Sequence, residues 1–116
     1  MQEAITKEIE RLKDENVLVI VEGKKDLNAL KTLGLKNVEQ INGPLFKFVE
    51  GIKQKKVVLL TDLDKEGKKL YKIIKSQLNS RGIVVDDNLR KLLASARISH
   101  VEGLDKYVEN GNRKRN

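Results

Sequence analysis

The chain has 116 residues, no cysteine and one histidine, and its 24 Lys and Arg outweigh 17 Asp and Glu to give a net charge of +7. This composition excludes disulfide stapling, thiol catalysis and cysteine-based zinc sites, and a lone His100 cannot by itself build a histidine metal site. The positive balance favours polyanions such as RNA or DNA, while aromatics at 3% argue against base stacking as the main mode of binding them.

The chain is of a size for one domain around one core. No apolar run reaches the roughly 20 residues of a bilayer span, and the N-terminus lacks the cationic-then-apolar order of a secretory signal. A cytoplasmic protein without membrane contact is the expectation. Ile5, Ile9 and Leu12 recur at helical spacing and predict an amphipathic helix over 3–13. Val17 to Val21 is an unbroken β-branched and leucine run, the pattern of a parallel strand covered on both faces, and it stops at Glu22-Gly23. Asp26 is the expected cap of a helix carrying Leu27, Leu30 and Leu33, which Gly34 ends. A short strand fits 38–41.

Asn42-Gly43-Pro44 reads as a strand-to-helix turn, and Leu45, Phe48, Val49 and Ile52 follow at one-face helical spacing, closed by Lys53 to Lys56. Val57 to Leu60 is the second strong buried strand and runs into Thr61-Asp62-Leu63-Asp64. Leu70, Ile73, Ile74 and Leu78 then mark a long helix ending near Gly82. A fourth strand is expected over 83–85 and a helix over Leu89 to Ala96, capped by Asp86 or Asp87. A further short strand fits 98–101, and a brief last helix holds Leu104, Tyr107 and Val108. Alternating strands and helices predict a three-layer α/β/α, Rossmann-like domain with a mainly parallel four-stranded sheet, occupying 1–111 with core motifs at 17–83. Residues 112–116 read as a basic flexible tail.

Ligands of open parallel sheets bind beyond the carboxyl ends of strands, where the strand order reverses. Glu22, Asp62 and Asp64 occupy that rim, and they converge if the first and third strands are neighbours. Two unit charges about 5 Å apart repel by on the order of 3 kcal/mol at an effective dielectric near 20, so such a cluster calls for a cation. Oxygen ligands with open positions suit Mg²⁺ best, with Mn²⁺ as the alternative, and Glu66 offers a further ligand.

The stretches Val21-Glu22-Gly23-Lys24-Lys25-Asp26 and Asp62-Leu63-Asp64-Lys65-Glu66-Gly67, 40 residues apart behind two apolar strands, resemble the Toprim domain. That domain is shared by topoisomerases, bacterial-type primases, recombination-repair proteins and small ribosomal-RNA maturation nucleases. Gly43 falls where the family has a turn glycine, and Val101-Glu102-Gly103 adds a likeness to the maturation nucleases and to small stand-alone Toprim proteins. The resemblance implies Mg²⁺-dependent chemistry on a nucleic-acid phosphodiester, as a nuclease or nucleotidyl transferase with RNA processing favoured. It implies Glu22 as general acid or base, with Asp62 and Asp64 holding the ion. Lys24, Lys25, Lys65 and Lys68 are placed to neutralise a substrate backbone, and a protein partner for substrate grip is a further expectation.

Structural readings stand beside these. Asp62 and Asp64 suit helix capping, Glu66 a helix N-terminal dipole, Gly23, Gly43 and Gly67 simple backbone turns, and His100 a structural or exposed position. Two other functions are open: a non-catalytic module that binds nucleic acid or protein, and an aspartyl-phosphate phosphatase with Asp62 as nucleophile.

Overall fold

A computed structural model describes the backbone of residues 1–115 and the side chains of residues 1–111. Four strands, β1 (Leu18–Val21), β2 (Val38–Gln40), β3 (Lys56–Leu60) and β4 (Val84–Asp86), form one sheet in the order β2-β1-β3-β4. Every pairing is parallel, so the expected mainly parallel sheet is wholly so. β1 and β3 lie at its centre in register, Leu18 opposite Val57 and Val21 opposite Leu60. Their unbroken apolar runs follow from that position, because a central strand of a covered sheet has no wet face; all four residues of β1 are buried.

Six helices complete the layers: α1 (Gln2–Glu15), α2 (Lys24–Thr32), α3 (Leu45–Glu50), α4 (Lys65–Ser80), α5 (Asn88–Ser95) and α6 (Leu104–Arg115). The chain leaves β1 toward β2 on one side and leaves β3 toward β4 on the other. Crossovers of one hand therefore put α2 and α4 on opposite faces. Val19, Val21, Val58 and Leu60 pack under α1, α2, α5 and α6 through residues such as Ile5, Leu12, Leu30, Leu93 and Leu104. Leu18, Ile20, Val57 and Leu59 pack against α3 and α4 through Val49, Ile74 and Leu78, and against Ile52 just beyond α3. Each fully buried Leu or Ile contributes about 1.5–3 kcal/mol, so these two clusters carry the stability of the sandwich.

Some elements differ from the sequence expectation. α3 stops at Glu50, leaving Lys53 to Lys55 in the connection to β3. Asp26 is not the N-cap of α2; Gly23 is, and Asp26 reaches back from the first turn to accept its N–H at 3.1 Å. Residues 98–101 form no strand. The Leu63 N–H donates to the carbonyl of Ser99 at 2.8 Å, and the Val101 N–H donates to a side chain at the rim of β3 instead of a ladder partner. A single 3-10 turn at Val101–Gly103 follows. α6 runs through most of the segment read as a tail; the side chains of 112–116, on which that basic reading rested, lie outside the described residues. No helix among the described residues is long and apolar enough to cross a membrane.

Candidate metal centre at the β1–β3 crevice

Because β2 lies on one side of β1 and β4 on the far side of β3, the reversal of strand order falls between β1 and β3. The carboxyl ends of both strands open there into the loops 22–23 and 61–64. Glu22 follows β1 directly, and its Oε1 accepts the backbone N–H of Asp62 at 2.8 Å. The side chain that ends one central strand thus fixes the loop that ends the other.

The Asp-Leu-Asp loop is held from every side. Asp64 is the N-cap of α4, its Oδ1 accepting the Gly67 N–H at 2.8 Å, while the buried Thr61 hydroxyl donates to the Gly67 carbonyl at 2.7 Å. Gly67 is packed so closely that a Cβ there would lie 2.0 Å from the Asp62 carbonyl oxygen. Its role is close backbone approach within a helix, not the turn that its sequence position suggested; of Gly23, Gly43 and Gly67 it is Gly43, with φ +69°, that takes a left-handed turn. Asp62 in turn accepts the Val101 N–H through Oδ1 at 2.9 Å.

That last bond, with the Leu63–Ser99 bond, brackets residue 100 and carries His100 to the rim. Its Nε2 stands 3.5 Å from Asp64 Oδ2, and its Nδ1 lies 2.9 Å from the Ser99 hydroxyl, a partner that orients the ring and leaves Nε2 facing the carboxylate. One donor atom each from Asp62, Asp64 and His100 lies within 4.8 Å of the others. Donors on one ion at 2.0–2.2 Å are separated by about 3–4 Å, so small side-chain rotations bring the three onto a common cation. Asp62 and Asp64 each use Oδ1 on a backbone N–H and keep Oδ2 for another partner, so the residues fit a divalent ion.

Glu66 does not join this group: it is exposed on the first turn of α4 with Lys69 Nζ at 3.8 Å. Lys24 and Lys25 begin α2, and Lys65 and Lys68 stand in the first turn of α4; all four are exposed, at helix N-termini that open on the crevice. The positive ends of those helices add to the attraction for anions.

Arg90 and Asp26 support the site from below. Arg90 of α5 is buried, and its guanidinium donates to the carbonyl of Thr61 and, at 3.3 Å, to that of Asp62. The same group stacks 4.1 Å from the centre of the Tyr71 ring. Burial pulls the Arg90 pKa below its ordinary value, and the neighbouring Tyr71 side chain and the carboxylates of Glu22 and Asp62 oppose that pull. Arg90 is thus the buried cation behind the acids. Asp26, also buried, has its pKa raised to about 6, first by burial and then by Asp62, Glu22 and Glu102, against the Gly23 N–H. No sequence signal pointed to Arg90 or His100, since both contacts depend on how α5 and its exit loop lie over β3.

A doubly wound parallel domain with carboxylates at the crevice between its two central strands is the class that fold and site define. Residues 16–86 match the family model of the Toprim domain, and the chain belongs to that family. It is 33% identical to a UPF0292 protein of Methanocaldococcus jannaschii over 91% of each chain. Against a UPF0292 protein of Archaeoglobus fulgidus the identity is 29%, over 88% of this chain and 85% of that one. A solved protein from Aquifex aeolicus superposes with a TM-score of 0.77 at 34% identity, covering 86% of this chain and 94% of that one.

Proposed function

We propose that this Toprim protein carries out Mg²⁺-dependent chemistry on nucleic-acid phosphodiester bonds, as a nuclease or nucleotidyl transferase, with RNA processing the favoured setting. The observation that carries this reading is the convergence of Asp62, Asp64 and His100 donor atoms beside the loop that Glu22 clamps. Asp62 and Asp64 would hold the ion through the oxygens that accept no backbone N–H, with Mn²⁺ as the alternative to Mg²⁺, and His100 would add a nitrogen donor. When bound, the ion polarises the phosphoryl oxygen and stabilises the leaving oxygen.

The chain's own groups do the rest. Glu22 Oε1 is engaged by the Asp62 N–H, so Oε2 is the atom that takes a proton from the attacking group or gives one to the leaving hydroxyl. Lys24, Lys25, Lys65 and Lys68 neutralise the phosphates that approach the crevice. Arg90 keeps the Asp62 backbone in place while charge at the site changes.

Incubation of the purified protein with end-labelled structured RNA and DNA in Mg²⁺ tests the reading. Products are expected with wild type and are lost with Glu22→Gln. Salt-dependent binding with no turnover under Mg²⁺ or Mn²⁺ would instead make the chain a non-catalytic nucleic-acid module.

A further inference from the structure

The surface between α4 and α5 is a furrow that extends beyond the site residues. Its main hollow, about 890 Å³, is bordered by Leu63, Lys68, Tyr71, Lys72, Lys75 and Arg90. Two smaller hollows share Leu63 with it; one reaches Lys91 on α5, and the other reaches Arg97 and Ser99 beside His100. The furrow therefore begins at Leu63, the residue between the two aspartates, and leads away from the metal centre along α4.

Its charge is mainly positive. Lys68, Lys72 and Lys75 recur at spacings of four and three, which puts them on one face of α4, about 6 and about 4.5 Å apart along the axis. None of the three has a carboxylate within ion-pair distance among the described residues, whereas Lys69 meets Glu66 at 3.8 Å and Lys91 meets Asp87 at 3.5 Å. Asp87, the acid on this border, is thus already engaged. The floor is apolar, formed by Leu63 and by the Tyr71 ring. Arg90 and Lys75 stand over that ring at 4.1 and 5.7 Å.

Resting on the phosphodiester reading above, we propose that this furrow is the track for a single strand of polynucleotide leaving the metal centre. Phosphates run along Lys68, Lys72 and Lys75, and sugars and base faces lie on the Leu63–Tyr71 floor. A row of cations without carboxylate partners keeps its attraction for phosphates, and each contact releases counterions. An apolar floor suits the exposed faces of an unpaired strand, which a duplex keeps stacked inside. Continuity with the Asp62–Asp64 loop favours substrate over an acidic protein as the occupant.

Fluorescence anisotropy with a labelled single-stranded oligonucleotide tests this, in a Glu22→Gln background that keeps the strand intact. Lys72→Glu/Lys75→Glu is expected to weaken binding at least tenfold and to flatten the log–log salt slope by about 1.4, two contacts at about 0.7 each. The milder Lys72→Ala/Lys75→Ala pair, with circular dichroism to verify the helix, is expected to follow in the same direction. Lys31→Glu/Lys36→Glu, on exposed residues at and beyond the end of α2, is the charge-matched control and is expected to stay within threefold of the parent.

Unchanged affinity in both Lys72/Lys75 variants overturns the track and leaves the phosphodiester reading standing. Equal losses in the control pair overturn it too, because the attraction is then non-local charge. Tighter binding of a blunt duplex, or displacement of the oligonucleotide by a poly-glutamate peptide at equal charge, assigns the furrow to another occupant. A parent protein that binds no polynucleotide at any salt concentration removes the underlying functional reading as well.

Discussion

Glu22 Oε1 accepts the backbone N–H of Asp62 at 2.8 Å, so one carboxylate both borders the crevice and fixes the loop that carries two others. The two roles separate by substitution. Glu22→Gln keeps an acceptor for the Asp62 N–H but cannot transfer a proton. It is expected to leave stability within about 1 kcal/mol of wild type and to lower turnover by about 10²–10⁴-fold. Glu22→Ala loses both, with a further cost of about 1–2 kcal/mol in urea denaturation. Full activity in the Gln variant would remove Glu22 from the chemistry.

Mn²⁺ binding, read by electron paramagnetic resonance, is expected to weaken at least tenfold in Asp62→Asn and in Asp64→Asn. His100→Ala is expected to weaken Mn²⁺ more than Mg²⁺, because an imidazole nitrogen suits the transition metal better than the harder ion. Equal affinity of wild type and the His100 variant for Mn²⁺ would take His100 off the ion.

Gly67→Ala reverses the usual sign of a helix substitution. Alanine in an ordinary helix interior is favoured over glycine by about 1 kcal/mol, but here its Cβ would stand 2.0 Å from the Asp62 carbonyl oxygen. A loss of about 2–4 kcal/mol is expected, together with weaker metal binding as the Asp62 loop is displaced. A variant as stable as wild type by urea titration would contradict the packing described.

Arg90→Met keeps most of the packing on Tyr71 and removes the donors to the Thr61 and Asp62 carbonyls. A destabilisation of about 2–3 kcal/mol is expected, since buried carbonyls lose charge-assisted partners. Arg90→Lys restores the charge but not the planar fork, and is expected to recover only part of the loss. Isothermal titration with Mn²⁺ should show the same order of affinities; a Lys variant equal to wild type in both would reduce the role to charge alone.

Asp26 gives the protein a pH dependence of its own. Its pKa in the folded state is raised to about 6, against 3.8 for the free side chain. Below the unfolded value both states bind the proton and the stability that goes with a neutral carboxyl is fully present. As pH rises toward 6 the unfolded chain ionises first, so the stabilising effect of the protonated carboxyl is progressively lost and stays lost above that pH. Asp26→Asn, with an amide oxygen still able to accept the Gly23 N–H, is therefore expected to be more stable than wild type at neutral pH by on the order of 2–3 kcal/mol. The gap should close as pH falls below about 4. Thermal melts of the chelated proteins across that range check it, and a gap independent of pH would locate the effect elsewhere.

The sheet was legible in the chain itself. Val17 to Val21 and Val57 to Leu60 are apolar without a break, the pattern of strands buried on both faces, while their adjacency at the centre came from the strand order of the fold. The acids behind those strands could be named for the same reason, since parallel sheets put strand ends at one rim. Tertiary structure alone decided what completes the rim. Ser99, His100 and Val101 have the composition of a weak strand, but Asp62 and Leu63 offer their backbone a better set of hydrogen bonds than an edge of the sheet does. Arg90 reads as one more polar residue of an amphipathic helix until α5 is laid across β3 and the guanidinium meets two strand-end carbonyls. Local pattern encodes which residues leave water, whereas contacts between a loop and a distant strand end depend on the angles at which layers pack, and no short window of sequence carries those.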